Sequence, residues 1–149
     1  MKHSYDADIV AWAQEQARLL RAHRFDALDI EHIAEEIEDV GKSEQRELAN
    51  RMAVLLAHLL KWQYQPERRG NSWAATIRHQ RQRMARRLER TPSLQSCLID
   101  AEWWADAWGD ACSEAAEQTG MGFDEFPSDC PWTAAAILSA EFWPESVPQ

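Results

Sequence analysis

Apolar positions along this chain recur at helical spacing almost from one end to the other. The first pattern covers residues 6–23, where Ile9, Trp12, Ala13, Gln16, Leu19 and Leu20 share a face. Residues 25–29 read as a connector. A second helix is expected over residues 30–40. Asp29 suits its N-cap, Leu28 can staple onto Ile33, and Ile30, Ile33, Ile37 and Val40 form a seam that should be buried. Gly41 offers a left-handed stop. Ser43 then caps a third helix reaching Trp62 or Tyr64, in which Leu48, Met52, Leu55, Leu59 and Trp62 repeat at 4-3-4-3 spacing. Val54, Leu56 and Leu60 widen that stripe, and a helix apolar over most of its circumference belongs at the centre of a bundle.

Residues 65–72 break the pattern with Pro66, Gly70 and a run of polar side chains. A fourth helix follows over residues 73–90, with a narrow stripe of Trp73, Ile77, Met84 and Leu88. His79, Arg83, Arg86, Arg87 and Arg90 project from its opposite side, and Arg78 and Arg81 flank the stripe. Thr91 and Pro92 suit the cap and first position of a fifth helix. Its Leu94, Leu98, Ala101, Ala105, Trp108, Cys112 and Ala115 keep the same rhythm until Gly120. The proline-rich remainder leaves room for one short helix over residues 133–142, presenting Ile137, Leu138 and Phe142. No segment alternates as a strand would. The expectation is one all-α domain over residues 1–149: an antiparallel bundle of four to five main helices plus a short C-terminal helix.

Charge changes this picture more than composition does. The 149 residues carry a net charge of −9. Residues 61–90, however, hold nine bases and two acids, leaving the remainder strongly acidic. Three readings stay open for the basic face of Arg83, Arg86, Arg87 and Arg90. It pairs with acids inside the bundle, it docks an acidic protein partner, or it meets nucleic acid, with Trp62, Tyr64 and Trp73 near enough in sequence to stack on bases. An acidic protein repels polyanions at a distance, which places nucleic acid last.

The opening residues lack the apolar core of a secretory signal. The longest apolar run, residues 52–60, is nine residues long and includes His58, against the roughly 20 that a spanning helix needs. The three cysteines form no C-x-x-C pair. These features fit a soluble, cytoplasmic chain with reduced thiols and no membrane contact.

The run His58-Leu59-Leu60-Lys61-Trp62-Gln63-Tyr64-Gln65-Pro66-Glu67-Arg68-Arg69, followed by Ser72-Trp73, resembles a bacterial family catalogued as domain of unknown function 29. Three further stretches match it: Tyr5-Asp6-Ala7-Asp8; Asp29-Ile30-Glu31 with Ala34-Glu35-Glu36-Ile37-Glu38; and Cys130-Pro131-Trp132 with Phe142-Trp143-Pro144-Glu145. The resemblance covers nearly the whole chain and implies a helical bundle in a bacterial protein. It implies no activity. Trp103, Trp104 and Trp108 are richer in tryptophan than the family's usual pattern.

Candidate chemistry is sparse. Bundle di-metal sites repeat Glu-x-x-His on two helices, and here no Glu stands three residues before a His. His32, Glu35, Glu36 and His58 are the candidate ligands, but Glu31, Glu35 and Glu38 read as a solvated or ion-paired stripe and His58 as a hydrogen-bonded core histidine, and the sequence points to no metal and no cofactor. There is no G-x-S-x-G elbow and no glycine-rich phosphate loop. Cys97 and Cys112 lie on or beside the buried seam. The connector is the best candidate site: Lys61, Trp62, Tyr64, Arg68, Arg69 and Trp73 put aromatic and guanidinium side chains close together, as hot spots do. The plainer account is that Trp62 and Tyr64 pack beneath the loop while Arg68 or Arg69 caps the preceding helix. The functional expectation is a bacterial bundle protein acting through a protein partner, without chemistry of its own. The alternatives are a nucleic-acid-associated regulatory protein, one member of a regulatory pair, and a metal-dependent bundle enzyme.

Overall fold

The computed structural model describes residues 4–148. Among them are five α-helices: α1 (Ile9–Arg21), α2 (Ile30–Tyr64), α3 (Asn71–Arg90), α4 (Ala101–Thr119) and the short α5 (Ala134–Leu138), joined partly by 3-10 turns and with no strand. The all-α class read from periodicity is what the chain adopts. Two compact units divide it, Met1–Ser43 and Glu44–Gln149, and the boundary falls inside α2.

The first unit pairs α1 with the start of α2. Asp8 caps α1 by accepting the Ala11 N–H at 3.1 Å. At the other end the chain reverses through His23, whose φ is +58°. The Arg24 N–H reaches Leu19 O at 2.9 Å and the His23 N–H reaches Leu20 O at 3.1 Å. That is a Schellman arrangement with histidine in the position that usually takes glycine.

The α1–α2 contact is not the apolar one expected. Ile30, Ile37 and Val40 are 66–67% exposed, and Ile33 is only half-buried. The stripe facing α1 is instead Asp29, His32 and Glu36. Asp29 Oδ2 accepts Trp12 Nε1 at 2.9 Å and lies 2.8 Å from His32 Nδ1. The Asp29 N–H donates to Gln16 Oε1 at 2.8 Å. Tyr5 donates to Glu36 and stacks on His32 with ring centroids 4.1 Å apart. These residues follow 3-4 spacing as the isoleucines do, and the polar set turns toward α1 because Tyr5, Trp12 and Gln16 supply partners for it.

Gly41 does not stop the helix. It sits within the 35 residues of α2, and Gly120 is the one glycine with positive φ among the described residues. Glycine in a helix interior costs about 1 kcal/mol relative to alanine. Residues 41–47 carry no apolar side chain, and the strong helix formers among them, Lys42, Glu44, Gln45, Arg46 and Glu47, carry the helix through to Leu48.

The second unit is an up-down-up bundle of the rest of α2 with α3 and α4. Lys61 lies over Trp73 at the near end, and Arg87 meets Glu44 at the far end, so α3 runs antiparallel to α2. Trp103 Nε1 donates to Gln45 O and Lys61 Nζ to Gln118 Oε1, so α4 runs parallel to α2. Leu48, Met52, Leu55, Leu56, Leu59 and Leu60 are wholly buried. This places them at the core centre, as the 4-3-4-3 pattern requires. The expected fifth helix is split: residues 92–99 form a 3-10 stretch, and Asp100 then caps α4 by accepting the Trp103 N–H at 3.1 Å. Gly120, with φ +77°, ends α4 as expected. The short tail helix keeps only five residues, with Thr133 as its cap.

Candidate functional site

The connector between α2 and α3 gathers five of its six candidate residues into packing. Lys61 is 7% exposed. Its Nζ donates to Gln118 Oε1 at 2.6 Å and lies 5.1 Å from the Trp73 ring centroid. Burial lowers the pKa of this amine. Trp62 packs on Trp143, ring centroids 4.6 Å apart, and Tyr64 meets Phe126 edge-on at 5.1 Å. Burial raises the Tyr64 pKa. Arg69 donates from Nε to Trp62 O at 2.6 Å and from Nη2 to Ser146 Oγ at 3.0 Å, with its guanidinium over the Trp62 ring. It thereby caps a carbonyl in the last turn of α2 and holds the C-terminal segment. The Val147 N–H closes the same junction on Gln63 O at 3.2 Å. Arg68 alone of the six is exposed.

The basic face of α3 divides differently. Arg87 reaches Glu44 at 2.9 Å and Glu47 at 3.6 Å, and Arg51 shares Glu47 at 3.1 Å. Arg83 donates to His79 Nε2 at 3.0 Å. Arg86 and Arg90 make no ion pair among the described residues. All four arginines line an open groove of about 410 Å³ with Arg51 and His79. Internal pairing therefore absorbs only part of the charge.

Arg81 is the residue that sequence reasoning misplaced. It is 4% exposed rather than flanking the stripe. Its Nε donates to Ile137 O at 2.7 Å and its Nη2 to Phe142 O at 2.6 Å, with the guanidinium over Trp143. The signal was present, since Ile77, Arg81, Met84 and Leu88 follow 4-3-4 spacing. His58 is a core histidine whose Nδ1 lies 2.9 Å from Val54 O, and burial lowers its pKa. Cys112 is buried, and that burial pushes its thiol up to about 11. A thiol so protonated is a poor nucleophile. No group of three or more potential metal ligands occurs among the described residues.

The remaining surface feature is apolar. Among the described residues nine large hydrophobic side chains are substantially exposed, and seven of them belong to the first unit: Ile9, Val10, Leu20, Phe25, Ile30, Ile37 and Val40.

Fold and surfaces together describe an all-helical protein with apolar, basic and aromatic faces and without an assembled metal-ligand cluster among the described residues. The chain belongs to the family described as domain of unknown function DUF29, whose model matches residues 4–143. No curated protein and no solved structure matches it. No helix among the described residues is long and apolar enough to cross a membrane.

Proposed function

We propose that this protein works by docking a partner protein on the first part of α2, without chemistry of its own. The observation that carries the reading is the exposure of Ile30, Ile37 and Val40 at 66–67%. With Ile33 they sit at 3-4-3 spacing, the seam that a second helix fills by knobs-into-holes packing. Glu31, Glu35, Glu38 and Asp39 are exposed on the same segment, on the side of the helix away from the seam, and make it acidic. A partner helix with an apolar stripe and net basic charge complements the seam and the acidic segment that carries it. A second copy brings the same acids and is opposed by charge.

The test uses a synthetic helical peptide about three heptads long, with an Ile/Leu seam and Lys/Arg flanks. Fluorescence anisotropy should show binding to the wild-type chain, weakened by salt and lost in Ile37→Glu with Val40→Glu. Both positions are exposed, so circular dichroism of the double variant should be unchanged. Equal binding by the double variant refutes the reading. Self-association of the wild type in sedimentation, abolished in the double variant, replaces the partner with a second copy.

A second reading rests on the unpaired Arg86 and Arg90 in the α3 groove: a phosphate-bearing partner such as nucleic acid. It requires submicromolar binding of short DNA at physiological salt, tighter than the ~10⁻⁴–10⁻⁶ M typical of non-specific contacts. Arg86→Glu with Arg90→Glu should then abolish that binding.

A further inference from the structure

In the second unit, α4 and the segment that follows it enclose a cleft of about 700 Å³. That is within the range of ~300–1,000 Å³ typical of small-molecule sites. Trp104, Trp108, Trp132, Phe123 and Phe126 form much of its wall. The tryptophans are held in place before any ligand arrives. Trp108 Nε1 donates to Pro127 O at 2.9 Å and Trp104 Nε1 to Leu98 O at 2.6 Å. Trp132 is braced edge-on by Trp108 on one side and Phe142 on the other, at 5.9 and 6.1 Å. Two indole N–H groups are thus spent on backbone carbonyls, and what those two rings have left to offer is their π surface.

Charge narrows the ligand. Among the described residues no Lys, Arg or His lines the cleft, whereas the exposed carboxylates of Asp124 and Asp129 do. Indole faces attract cations, tryptophan more strongly than the other aromatics. An anionic ligand would meet only like charge here.

Gly109 adds an independent observation. It lies in the interior of α4 without positive φ, and no atom lies within 4 Å of where a Cβ would sit. Neither backbone conformation nor close packing calls for glycine, and helix propensity disfavours it. Gly109 lines the cleft, so its missing side chain leaves that space open.

We propose that the cleft between α4 and residues 122–134 binds an apolar organic ammonium, its cation over the indoles and toward Asp124 and Asp129. The site is separate from the partner-docking seam, and neither proposal depends on the other.

Calorimetric titration of the full chain with benzyltrimethylammonium, benzyl alcohol and phenylacetate tests this. The ammonium should bind about tenfold tighter than either comparator, the scale that cation–π contact and two nearby carboxylates support. Asp124→Asn with Asp129→Asn, both exposed, should weaken the ammonium severalfold and leave benzyl alcohol unchanged. Gly109→Leu fills the cleft and should abolish binding of the ammonium while the melting temperature holds or rises, which separates blockage from unfolding. Phenylacetate binding as tightly as the ammonium overturns the proposal. So does undiminished binding in a folded Gly109→Leu variant, or no saturable ammonium binding by the wild type.

Discussion

Replacing Arg69 with alanine removes three contacts at once. The Nε–H to Trp62 O bond, at 2.6 Å, is short and charge-assisted, of the kind worth about 1.5–3 kcal/mol. The guanidinium over the Trp62 ring, 5.0 Å from its centroid, adds about 0.5–1 kcal/mol at a partly exposed site. The Ser146 contact, at 3.0 Å, is exposed and adds little. Ordering the long side chain offsets up to about 2 kcal/mol of this gain. A net loss of about 2 kcal/mol is expected, because the Trp62 carbonyl loses its charged donor while the ordering cost is recovered. Arg68, next in sequence and exposed, should cost no more than about 0.5 kcal/mol on the same change. Urea titrations of wild type, Arg68→Ala, Arg69→Ala and Arg69→Lys, compared at equal m, read the difference directly. Lysine keeps the charge and loses the planar fork, so it should recover only part of the loss. Faster hydrogen exchange at the Val147 N–H, which bonds Gln63 O, should accompany Arg69→Ala. If Arg69→Ala and Arg68→Ala are equally harmless, the clasp contributes nothing and the connector's arginines return to being candidate contacts for a partner.

Other outcomes follow from the same physics. Leu59→Ala, at a wholly buried position, should cost about 2–5 kcal/mol in the same titration; a loss below about 1 kcal/mol would mean that the core collapses around the site. His23→Gly should stabilise the first unit by about 1 kcal/mol, because the residue holds φ +58°, where a Cβ is strained; an unchanged or reduced melting temperature contradicts this. Stability of the first unit should be bell-shaped in pH. The hydrogen bond with His32 holds the Asp29 carboxyl below its ordinary pKa, so this contribution is complete above the unfolded value and fades as pH falls through the folded one. The same bond raises the His32 pKa, so that contribution is complete below its unfolded value and fades as pH rises through the folded one. The maximum therefore lies between about pH 4 and 6.5, the two unfolded values. His32→Gln should abolish the alkaline side and weaken the acid side, where the Trp12 hydrogen bond still holds the Asp29 carboxyl down, as read by amide exchange of α1.

Periodicity made the second unit legible because apolar side chains decide its packing: Leu48, Met52, Leu55 and Leu59 lie where the spacing puts them. The first unit escaped the same logic. Its α2 segment carries two stripes at helical spacing, Ile30-Ile33-Ile37-Val40 and Asp29-His32-Glu36, and periodicity alone favours the greasier one. What reverses the choice is chemistry on the other strand of the hairpin. Tyr5, Trp12 and Gln16 each bring a donor or acceptor as well as bulk, and together they satisfy the carboxylates and the imidazole that turn toward them. The isoleucines are left outward as a consequence. Gly41 misled for a related reason, because a glycine stops a helix only where the chain adopts a left-handed turn, and the strong helix formers beyond it carry the helix on. Arg81 was legible in register but placed beside the stripe, yet two backbone carbonyls of the tail and the Trp143 ring accommodate the guanidinium in place of water. For the first unit and for Arg81, hydrophobic spacing located the helix, and polar partners distant in sequence decided which face it buries. The same rule governs the connector: Trp62, Arg69 and Trp143 become one cluster only when the last residues of the chain return to the end of α2, and no local window contains all three.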